Sequence, residues 1–370
     1  MFRYDRVTQQ LLDEISHMSP NTRIPSRTQL GEKYGVTRTT IDKAISSLTN
    51  KGYLYSVKGS GTYVTPQSKI SVLNENNGPL TWGVIMPDIM YGLYTAILRG
   101  VSDIANLNNI SVTIFNTDND AKRQHEYVKM LVDSGVNGVI IIPAITDEFI
   151  PETYALLREK HIPFVFCNRN IESMPEVPFV CSNNFYGAYI GVKHLIAQGY
   201  KKIAFLSKKR YSSMLERYHG YIAALLEHGC EVCSKFIIMQ YNDEDALDDY
   251  KVSKELFEGE DHPDGIFCAY EGMVPQLYKA LEDLNLKVSD DVGIISYDSS
   301  NICDTLSPRL TAVSFQSYQA GYQSALILMD MMQNKFNDNT NIYILQPGID
   351  FRQSCLGKIH KNNEPQKQKG

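Results

Sequence analysis

The sequence predicts an α/β protein with two parts: an N-terminal winged helix-turn-helix and a two-lobed domain of doubly wound parallel sheets. Three observations predict this architecture. The first 66 residues carry helix caps and a glycine hairpin in the order of a winged helix-turn-helix. From Trp82 onward, short apolar strands alternate with amphipathic helices, which is the rhythm of βαβ units. The rhythm restarts near Tyr186, and this repetition indicates two similar lobes.

The N-terminal segment contains the signals of three short helices. Apolar residues recur at helical spacing between Tyr4 and His17 and predict the first helix. Ser26 precedes Gln29 by three positions, a capping-box spacing that starts the second helix, and Gly35 is expected to end it. Thr37 is the expected N-cap of the third helix. The buried face of that helix is predicted to contain Ile41, Ala44, Ile45 and Leu48.

A hairpin is predicted to follow the third helix. Its strands are residues 55–57 and 62–64, and the two glycines between them permit a tight turn with positive φ. Two helices, a tight turn and a third helix are typical of a DNA-binding module that places the third helix in a major groove. The residues expected to contact DNA are Arg27, Thr37, Arg38, Thr39, Thr40, Lys43, Lys58, Gly59 and Ser60.

The charge of the chain is unevenly distributed. Residues 1–66 contain 9 Lys and Arg against 5 Asp and Glu, whereas the remainder contains 27 against 37. A small basic domain joined to an acidic body favours a localised surface for a polyanion. The alternative is a plain three-helix module with solvated charges, which the ordered series of cap, turn and hairpin disfavours.

This segment resembles the GntR family of bacterial regulators. The resemblance lies in Pro25-Ser26-Arg27, in residues 36–41 (Val-Thr-Arg-Thr-Thr-Ile) and in residues 59–64 (Gly-Ser-Gly-Thr-Tyr-Val). It implies that Arg27, Arg38 and the glycine region of the wing touch DNA. Members of the family commonly carry Arg where this chain has Asp42. An acidic side chain facing DNA repels phosphate but can accept from a cytosine amino group, so Asp42 either turns away or alters the operator sequence.

Composition bounds the class of protein. The chain has 370 residues with 43% hydrophobic and 21% charged residues, which are ordinary globular values. No apolar stretch approaches the roughly 20 residues that span a bilayer, and the N-terminus lacks the pattern of a signal peptide. We therefore expect a cytoplasmic protein with reduced thiols.

Cys230 and Cys233 form a Cys-x-x-Cys, but no second pair lies nearby in the sequence. A loop is therefore favoured over a metal or redox site, and we expect no cofactor.

The domain organisation follows from these patterns. We expect a DNA-binding domain over residues 1–66, a linker over 67–80, a bilobed effector-binding and dimerisation domain over 81–357, and a disordered tail over 358–370. Within the bilobed part the predicted strands are 83–86, 111–115, 138–142, 164–166, 203–206, 236–239, 265–268 and 293–296. The predicted helices are 94–106, 123–134, 150–160, 186–198, 214–227, 250–257 and 273–284.

The ends of these strands predict where a ligand binds. In open α/β sheets, ligands bind beyond the carboxyl ends of the strands. Four stretches of the sequence follow strand ends and are therefore expected to face the cleft. They are residues 88–94, which include Tyr91 and Tyr94, then Asn168-Arg169, Tyr270-Glu271 and Asp298.

Residues 82–357 resemble the LacI/GalR regulators and their relatives among the type I periplasmic-binding-protein-like domains. The motifs that carry the resemblance are Pro87-Asp88, Leu98-Arg99-Gly100, residues 116–119, 138–141, 194–195, 199–205 and 216–221, Asp291-Val292, Tyr297-Asp298, and residues 306–311 and 351–354. By motif position, Arg169, Arg217 and Asp298 would line the cleft, with Tyr91 and Tyr94 as its walls. Phe315 and Gln316 would close it after the last strand. Arg, Asp and Asn supply the paired donors and acceptors that sugar hydroxyls need.

Several residues depart from the family pattern or admit a second interpretation. The family usually has Asn-Asp where this chain has Tyr270-Glu271, and Asp where it has Asn183; the bulkier Tyr270 favours a monosaccharide over a large glycoside. Arg169 could instead form an ion pair between the lobes. Asp298 could be a hinge residue that satisfies backbone N–H groups, and the tyrosines could serve packing alone.

Two other classes of function compete with a regulator. An enzyme is disfavoured because the chain has no Gly-x-Gly-x-x-Gly after its first strand, no phosphate-binding loop and no Gly-x-Ser-x-Gly elbow. An exported sugar-binding transport protein is disfavoured by the DNA-binding module. The two resemblances together imply a homodimeric repressor of sugar-utilisation genes whose affinity for operator DNA falls when a monosaccharide binds. Sugar-activated binding remains the alternative.

Overall fold

The computed structural model describes residues 3–16, 18, 22–50, 53–57, 61–64, 80–146, 148–207, 212–239, 249–336 and 341–357. The chain divides into two units, Met1–Gly78 and Pro79–Gly370. The predicted wing-tip contacts Lys58, Gly59 and Ser60, the linker up to residue 79 and the tail over 358–370 lie outside the described residues. In the parts of the chain that the structure describes, no helix has the length and apolar character needed to cross a bilayer.

The first unit has the predicted order of elements. They are helices α1 (Arg3–Ser16), α2 (Arg27–Tyr34) and α3 (Arg38–Asn50), followed by the antiparallel hairpin of β1 (Leu54–Val57) and β2 (Gly61–Val64). Ser26 and Gln29 form the predicted capping box, and Gly35 ends α2 with φ of 62°. The predicted buried face of α3 packs with Leu11, Leu30 and Leu54 in one apolar core. Local caps and helical periodicity therefore determine this unit.

One feature of this unit was not predicted. The residues before α2, expected to be a loop, pair with the wing: the Ile24 N–H donates to the Thr62 carbonyl at 2.9 Å, and the Val64 N–H donates to the Thr22 carbonyl at 2.9 Å. Arg23 and Tyr63 form the bridge between these two bonds. The wing is thereby joined to the segment that leads into α2.

The second unit contains two six-stranded sheets. Lobe one begins with β3 (Thr81–Met86), α4 (Gly92–Leu107), β4 (Ser111–Asn116), α5 (Ala121–Asp133), β5 (Gly138–Ile141), α6 (Glu152–Glu159), β6 (Phe164–Cys167) and β7 (Phe179–Ser182). Lobe two contains α7 (Asn184–Ala197), β8 (Ile203–Ser207), α8 (Ser212–Glu227), β9 (Ile237–Met239), α9 (Asp249–Leu256), β10 (Gly265–Cys268), α10 (Val274–Asp283), β11 (Gly293–Tyr297), α11 (Ile302–Thr305) and β12 (Thr311–Ser314). The chain then forms α12 (Ser317–Met332) and β13 (Ile342–Leu345) on lobe one and β14 (Gly348–Asp350) on lobe two.

The sheet orders confirm the doubly wound fold. Lobe one has the strand order β13-β7-β6-β5-β3-β4 and is parallel throughout, and lobe two has the order β14-β12-β11-β10-β8-β9 with only β14 antiparallel. Four of these strands, β7, β12, β13 and β14, were not predicted. At the sheet edges, two of the four β13 residues and two of the three β14 residues are exposed, so these strands lack the continuous apolar run of a buried strand. Strands β7 and β12 are buried, but polar residues begin or end their four-residue runs.

Three chain crossings connect the two lobes, after β7, after β12 and after β13. Hydrogen bonds tie the crossings together. The Asn183 side-chain amide donates to Gln346 Oε1 at 3.3 Å, and the Gln316 side-chain amide donates to the Gln346 carbonyl at 3.0 Å. Beside them, the hydroxyls of Ser182 from lobe one and Tyr297 from lobe two are 2.7 Å apart. These contacts define the hinge between the lobes.

The helices on lobe one cross at a pair of glycines. Helix α12 packs directly against α4, and a Cβ on Gly321 would overlap the backbone carbonyl of Ile97, while one on Gly100 would overlap the carbonyl of Tyr318. Only hydrogen at both positions permits this close approach of the two backbones. The return of the chain to lobe one therefore depends on two residues that are far apart in sequence.

Candidate functional site

Helix α3 presents a polar face to solvent. Its buried residues Ile41 and Ala44 point to the core, whereas Thr37, Thr39 and Lys43 are exposed and Thr40 is half-buried. The Arg38 side chain retains 77% of its accessible surface. The Thr37 hydroxyl lies 3.4 Å from the Thr40 amide, so it serves as the predicted cap of the helix. The structure therefore places these candidate DNA contacts on one exposed helix face and its start.

Arg27 and Asp42 are paired on this surface. Arg27 Nε donates to Asp42 Oδ1 at 2.5 Å, and the second Asp42 oxygen lies 4.0 Å from Arg38 Nε. The sequence left open whether Asp42 turns away or faces DNA as a free acceptor. In the structure its carboxylate lies between two arginines that the sequence identified as DNA contacts.

A cavity of about 450 Å³ lies between the two lobes at the carboxyl ends of the strands. This volume falls within the range of roughly 300–1,000 Å³ that is usual for small-molecule sites. The predicted ligand residues that line it are Tyr91, Tyr94, Asn168, Arg169, Arg217, Tyr270 and Asp298. The remaining lining residues are Pro87, Asp88, Leu93, Asp118, Asn119, Ser213 and Met214. Both lobes therefore contribute polar and apolar groups to one cavity.

Asp298 is the most buried acid of the cavity. It follows β11 with φ of 74°, in the left-handed region that non-glycine residues seldom adopt. Its Oδ2 accepts from the Tyr91 hydroxyl at 3.4 Å and lies 3.9 Å from Arg217 Nη1, whereas its buried Oδ1 has no hydrogen-bond partner among the described residues. Burial raises the pKa of Asp298 to about 6, and Arg217 offsets only part of that rise.

Arg217 is held in one position by lobe two. Its Nε donates to Asn184 Oδ1 at 2.9 Å, and its Nη1 donates to the Ala269 carbonyl at 2.5 Å. Its guanidinium also lies 3.5 Å from the centre of the Tyr297 ring, a cation–π contact. A buried arginine with these partners supplies a fixed positive charge beside Asp298.

Lobe one contributes Arg169 and Tyr91. Arg169 Nη1 donates to Asn119 Oδ1 at 2.8 Å and approaches the Pro143 carbonyl at 3.4 Å, and both partners belong to lobe one. These two contacts orient Arg169 within its own lobe. The Tyr91 hydroxyl makes a contact across the cleft, to Asp298.

Two predicted ligand residues lie outside this cavity. Glu271 is buried behind it, where its Oε2 accepts from the Ser300 amide at 2.9 Å and lies 3.4 Å from the Cys303 thiol. Gln316 lies at the hinge, bonded to Gln346. Glu271 therefore fixes the loop that follows Asp298, and Gln316 ties the chain crossings. A position after a strand does not by itself decide whether a side chain faces the cleft.

Some lining residues were not predicted although a signal for them existed. Asp118 and Asn119 follow β4, and Ser213 and Met214 follow β8, so the rule that ligands bind at carboxyl ends of strands applied to both pairs.

Cys230 and Cys233 lie in the loop before a 3-10 turn, which agrees with the loop interpretation of this pair. Among the described residues no cluster of three or more His, Cys, Asp or Glu is arranged to hold a metal ion.

Comparison with known proteins finds a match in each unit. Residues 3–64 match the bacterial regulatory proteins of the gntR family, and residues 192–355 match the periplasmic binding protein-like domain. The arabinose metabolism transcriptional repressor of Geobacillus stearothermophilus is 24% identical over 359 residues, which cover 95% of this chain and 97% of that protein. The ribose operon repressor of Halalkalibacterium halodurans is 28% identical over 282 residues, covering 76% of this chain and 81% of that repressor.

Solved structures agree with the two-lobed fold. The transcription regulator CcpA of Lactococcus lactis superimposes with a TM-score of 0.65 at 26% identity and covers 75% of this chain and all of that one. A LacI family transcriptional regulator from Enterococcus faecium with bound ribose superimposes with a TM-score of 0.63 at 24% identity, covering 74% of this chain and 98% of that one. The four proteins named here are transcriptional regulators or repressors.

Proposed function

We propose that this chain, which joins a GntR-type winged-helix domain to a periplasmic-binding-protein-like domain, is a transcriptional repressor of sugar-utilisation genes. Its operator affinity falls when a monosaccharide occupies the cavity between the lobes. The regulator relatives and the two domain matches support the DNA-binding part of this proposal. The proposal includes a cytoplasmic location, where a repressor meets DNA, and the match of residues 3–64 to DNA-binding regulators disfavours the transport-protein alternative.

The single observation that carries the sugar assignment is the state of Asp298. A buried carboxylate oxygen without a hydrogen-bond partner carries a desolvation cost of roughly 1–3 kcal/mol or more, which a donor from a ligand would remove. A sugar hydroxyl is such a donor. Asn119, Asn168 and Arg169 line the opposite side of the cavity and can bond the remaining hydroxyls, while Tyr94 and Met214 offer apolar surface to a sugar C–H face.

The charges of the cavity favour a neutral sugar. Among the described residues, three carboxylates line it, those of Asp88, Asp118 and Asp298, against the two guanidinium groups of Arg169 and Arg217. Arg217 already bonds Asn184 and Ala269, and Arg169 already bonds Asn119, so neither presents the free fork that binds phosphate in bidentate fashion. We therefore expect an unphosphorylated, uncharged monosaccharide.

The response to sugar requires two arrangements of the lobes. A ligand shifts an equilibrium only by its differential affinity for two states, typically about 1–3 kcal/mol in regulated proteins. Tyr91 and Asp298 lie on opposite lobes, so a sugar bonded between them favours the closed arrangement. We propose a homodimer in which closure changes the spacing of the two DNA-binding domains on a pseudo-palindromic operator.

The test begins by selecting operator sequences from a random DNA library with the purified full-length chain. A thermal-shift screen of neutral sugars, sugar acids and sugar phosphates then identifies the effector, since a bound ligand raises apparent stability by mass action. We expect Asp298→Ala and Arg217→Ala to bind operator normally and to lose the sugar response. Asp133→Ala, which removes an exposed carboxylate at the end of α5, is the matched control. A full sugar response in both cavity variants would exclude this cavity as the effector site.

A further inference from the structure

We propose that Asp42 is a positioning and specificity-determining residue of the DNA-binding face, which orients Arg27 and suppresses non-specific binding. This inference rests on the proposed function in DNA binding. Asp42 Oδ1 lies 2.5 Å from Arg27 Nε, and its Oδ2 lies 4.0 Å from Arg38 Nε. One carboxylate thus contacts one arginine and neighbours another on the surface expected to meet DNA.

The backbones that carry this pair are fixed. Arg27 is the first residue of α2, directly after Ser26, whose capping box with Gln29 anchors the helix start. Asp42 follows the fully buried Ile41 on α3. Flexibility is therefore confined to the two side chains, and the hydrogen bond between them restricts the longer side chain, that of Arg27. Because the long Arg side chain loses rotamer entropy when it is fixed, holding it in advance removes part of the cost of a contact.

The Arg27–Asp42 ion pair is too exposed to contribute much to the stability of the fold. The side chains of Arg27 and Asp42 retain 41% and 46% of their accessible surface. Ion pairs in such surroundings contribute little to folding. Within the described residues, Arg27 uses only its Nε in a hydrogen bond, so its two terminal nitrogens keep their donors for a phosphate or a base edge.

The carboxylate also has an electrostatic effect. Non-specific DNA binding depends on the number of phosphates that the protein neutralises, with a slope of log K against log salt of about −0.9 per phosphate. Asp42 cancels one positive charge of the two arginines beside it. Binding to arbitrary DNA is weakened by this charge, while a site that meets the oriented donors of Arg27 retains its contact. With Oδ1 accepting from Arg27 and Oδ2 lying 4.0 Å from Arg38 Nε, the Asp42 carboxylate is less available for a direct bond to a cytosine amino group.

The experiment compares wild type, Asp42→Ala, Asp42→Asn, Arg27→Ala and the double variant Asp42→Ala/Arg27→Ala on selected operator and on scrambled DNA across a salt series. We expect Asp42→Ala to bind scrambled DNA more tightly, with a salt slope steeper by about one phosphate, and to lose about three- to tenfold in the ratio of operator to scrambled affinity. Asp42→Asn should show the same steeper slope because it also lacks the charge. When Arg27 is already replaced by Ala, Asp42→Ala should change the ratio of operator to scrambled affinity by less than twofold, since the arginine that Asp42 would orient is absent.

The control variant is Glu32→Ala, which removes an exposed carboxylate of α2 that does not contact Arg27. It should leave the ratio of operator to scrambled affinity unchanged. If Asp42→Ala behaves like Glu32→Ala, or if its effect persists undiminished without Arg27, the positioning role is wrong. If operators selected with Asp42→Ala lose a cytosine preference at one position, Asp42 reads a base instead.

A wild-type chain that selects no sequence at all would refute the proposed function itself. Selective binding by wild type, with an unchanged ratio of operator to scrambled affinity in Asp42→Ala, would refute only this inference.

Discussion

Replacing Asp298 by Asn should stabilise the protein above pH 6 and abolish the effect of the sugar. Burial raises the pKa of the Asp298 carboxyl from 3.8 to about 6. A raised folded-state pKa gives stability that is fully present below the unfolded pKa and is lost as the pH rises through the folded pKa. The ionised carboxylate therefore destabilises the fold at neutral pH, and Asn, which resembles the protonated acid, avoids that cost.

The magnitude follows from the shift. Because the pKa rises by roughly two, ionisation of Asp298 lowers the free energy of unfolding at pH 7 by about 3 kcal/mol relative to the protein with protonated Asp298. About half of this loss has already occurred at pH 5. The difference in unfolding free energy between Asp298→Asn and wild type should thus grow by about 1.3 kcal/mol from pH 5 to pH 7 and then level off. The raised pKa already includes the attraction of Arg217, so this estimate allows for the loss of that ion pair.

The assay is thermal or urea unfolding of both proteins at several pH values between 5 and 8, with the effector titrated in parallel. Sugar binding needs the ionised form of Asp298, so the apparent affinity of wild type should fall about tenfold from pH 7 to pH 5. Asp298→Asn should bind sugar weakly at every pH. A stability difference that is constant with pH, or a variant less stable than wild type at pH 7, would refute the reasoning about the buried carboxylate.

Three further predictions concern other parts of the molecule. Arg38→Ala should weaken operator binding by about 1–3 kcal/mol if Arg38 reads a base, measured by fluorescence anisotropy with the fold checked by circular dichroism; unchanged affinity would remove it from the interface. Gly321→Ala should destabilise the fold by about 1–3 kcal/mol or more, because its Cβ overlaps the Ile97 carbonyl, whereas Gly348→Ala, which meets open space, should unfold like wild type. Light scattering at micromolar concentration should give twice the chain mass of 41.9 kDa, and a single-chain mass with one footprinted half-site would contradict the dimer.

The sequence by itself determined the elements that depend on neighbouring residues. The capping box of Ser26 and Gln29 and the left-handed Gly35 are contacts within one turn, and they occur where predicted. The alternation of buried strands with amphipathic helices predicted both lobes, because a parallel sheet covered on both faces requires apolar runs. The position of Asp298 after β11 likewise placed it at the cleft.

The tertiary structure decided what depends on residues distant in the chain. The edge strands β13 and β14 exist because strands more than thirty residues away form backbone hydrogen bonds with them. Glu271 and Asp298 both follow strands, yet Glu271 turns inward and accepts from the Ser300 amide, while Asp298 faces the cavity with one oxygen that has no hydrogen-bond partner among the described residues. Asp42 meets Arg27 across fifteen residues. Sequence spacing gives the direction of a side chain only within its own element, and the packing of elements decides which groups it finally contacts.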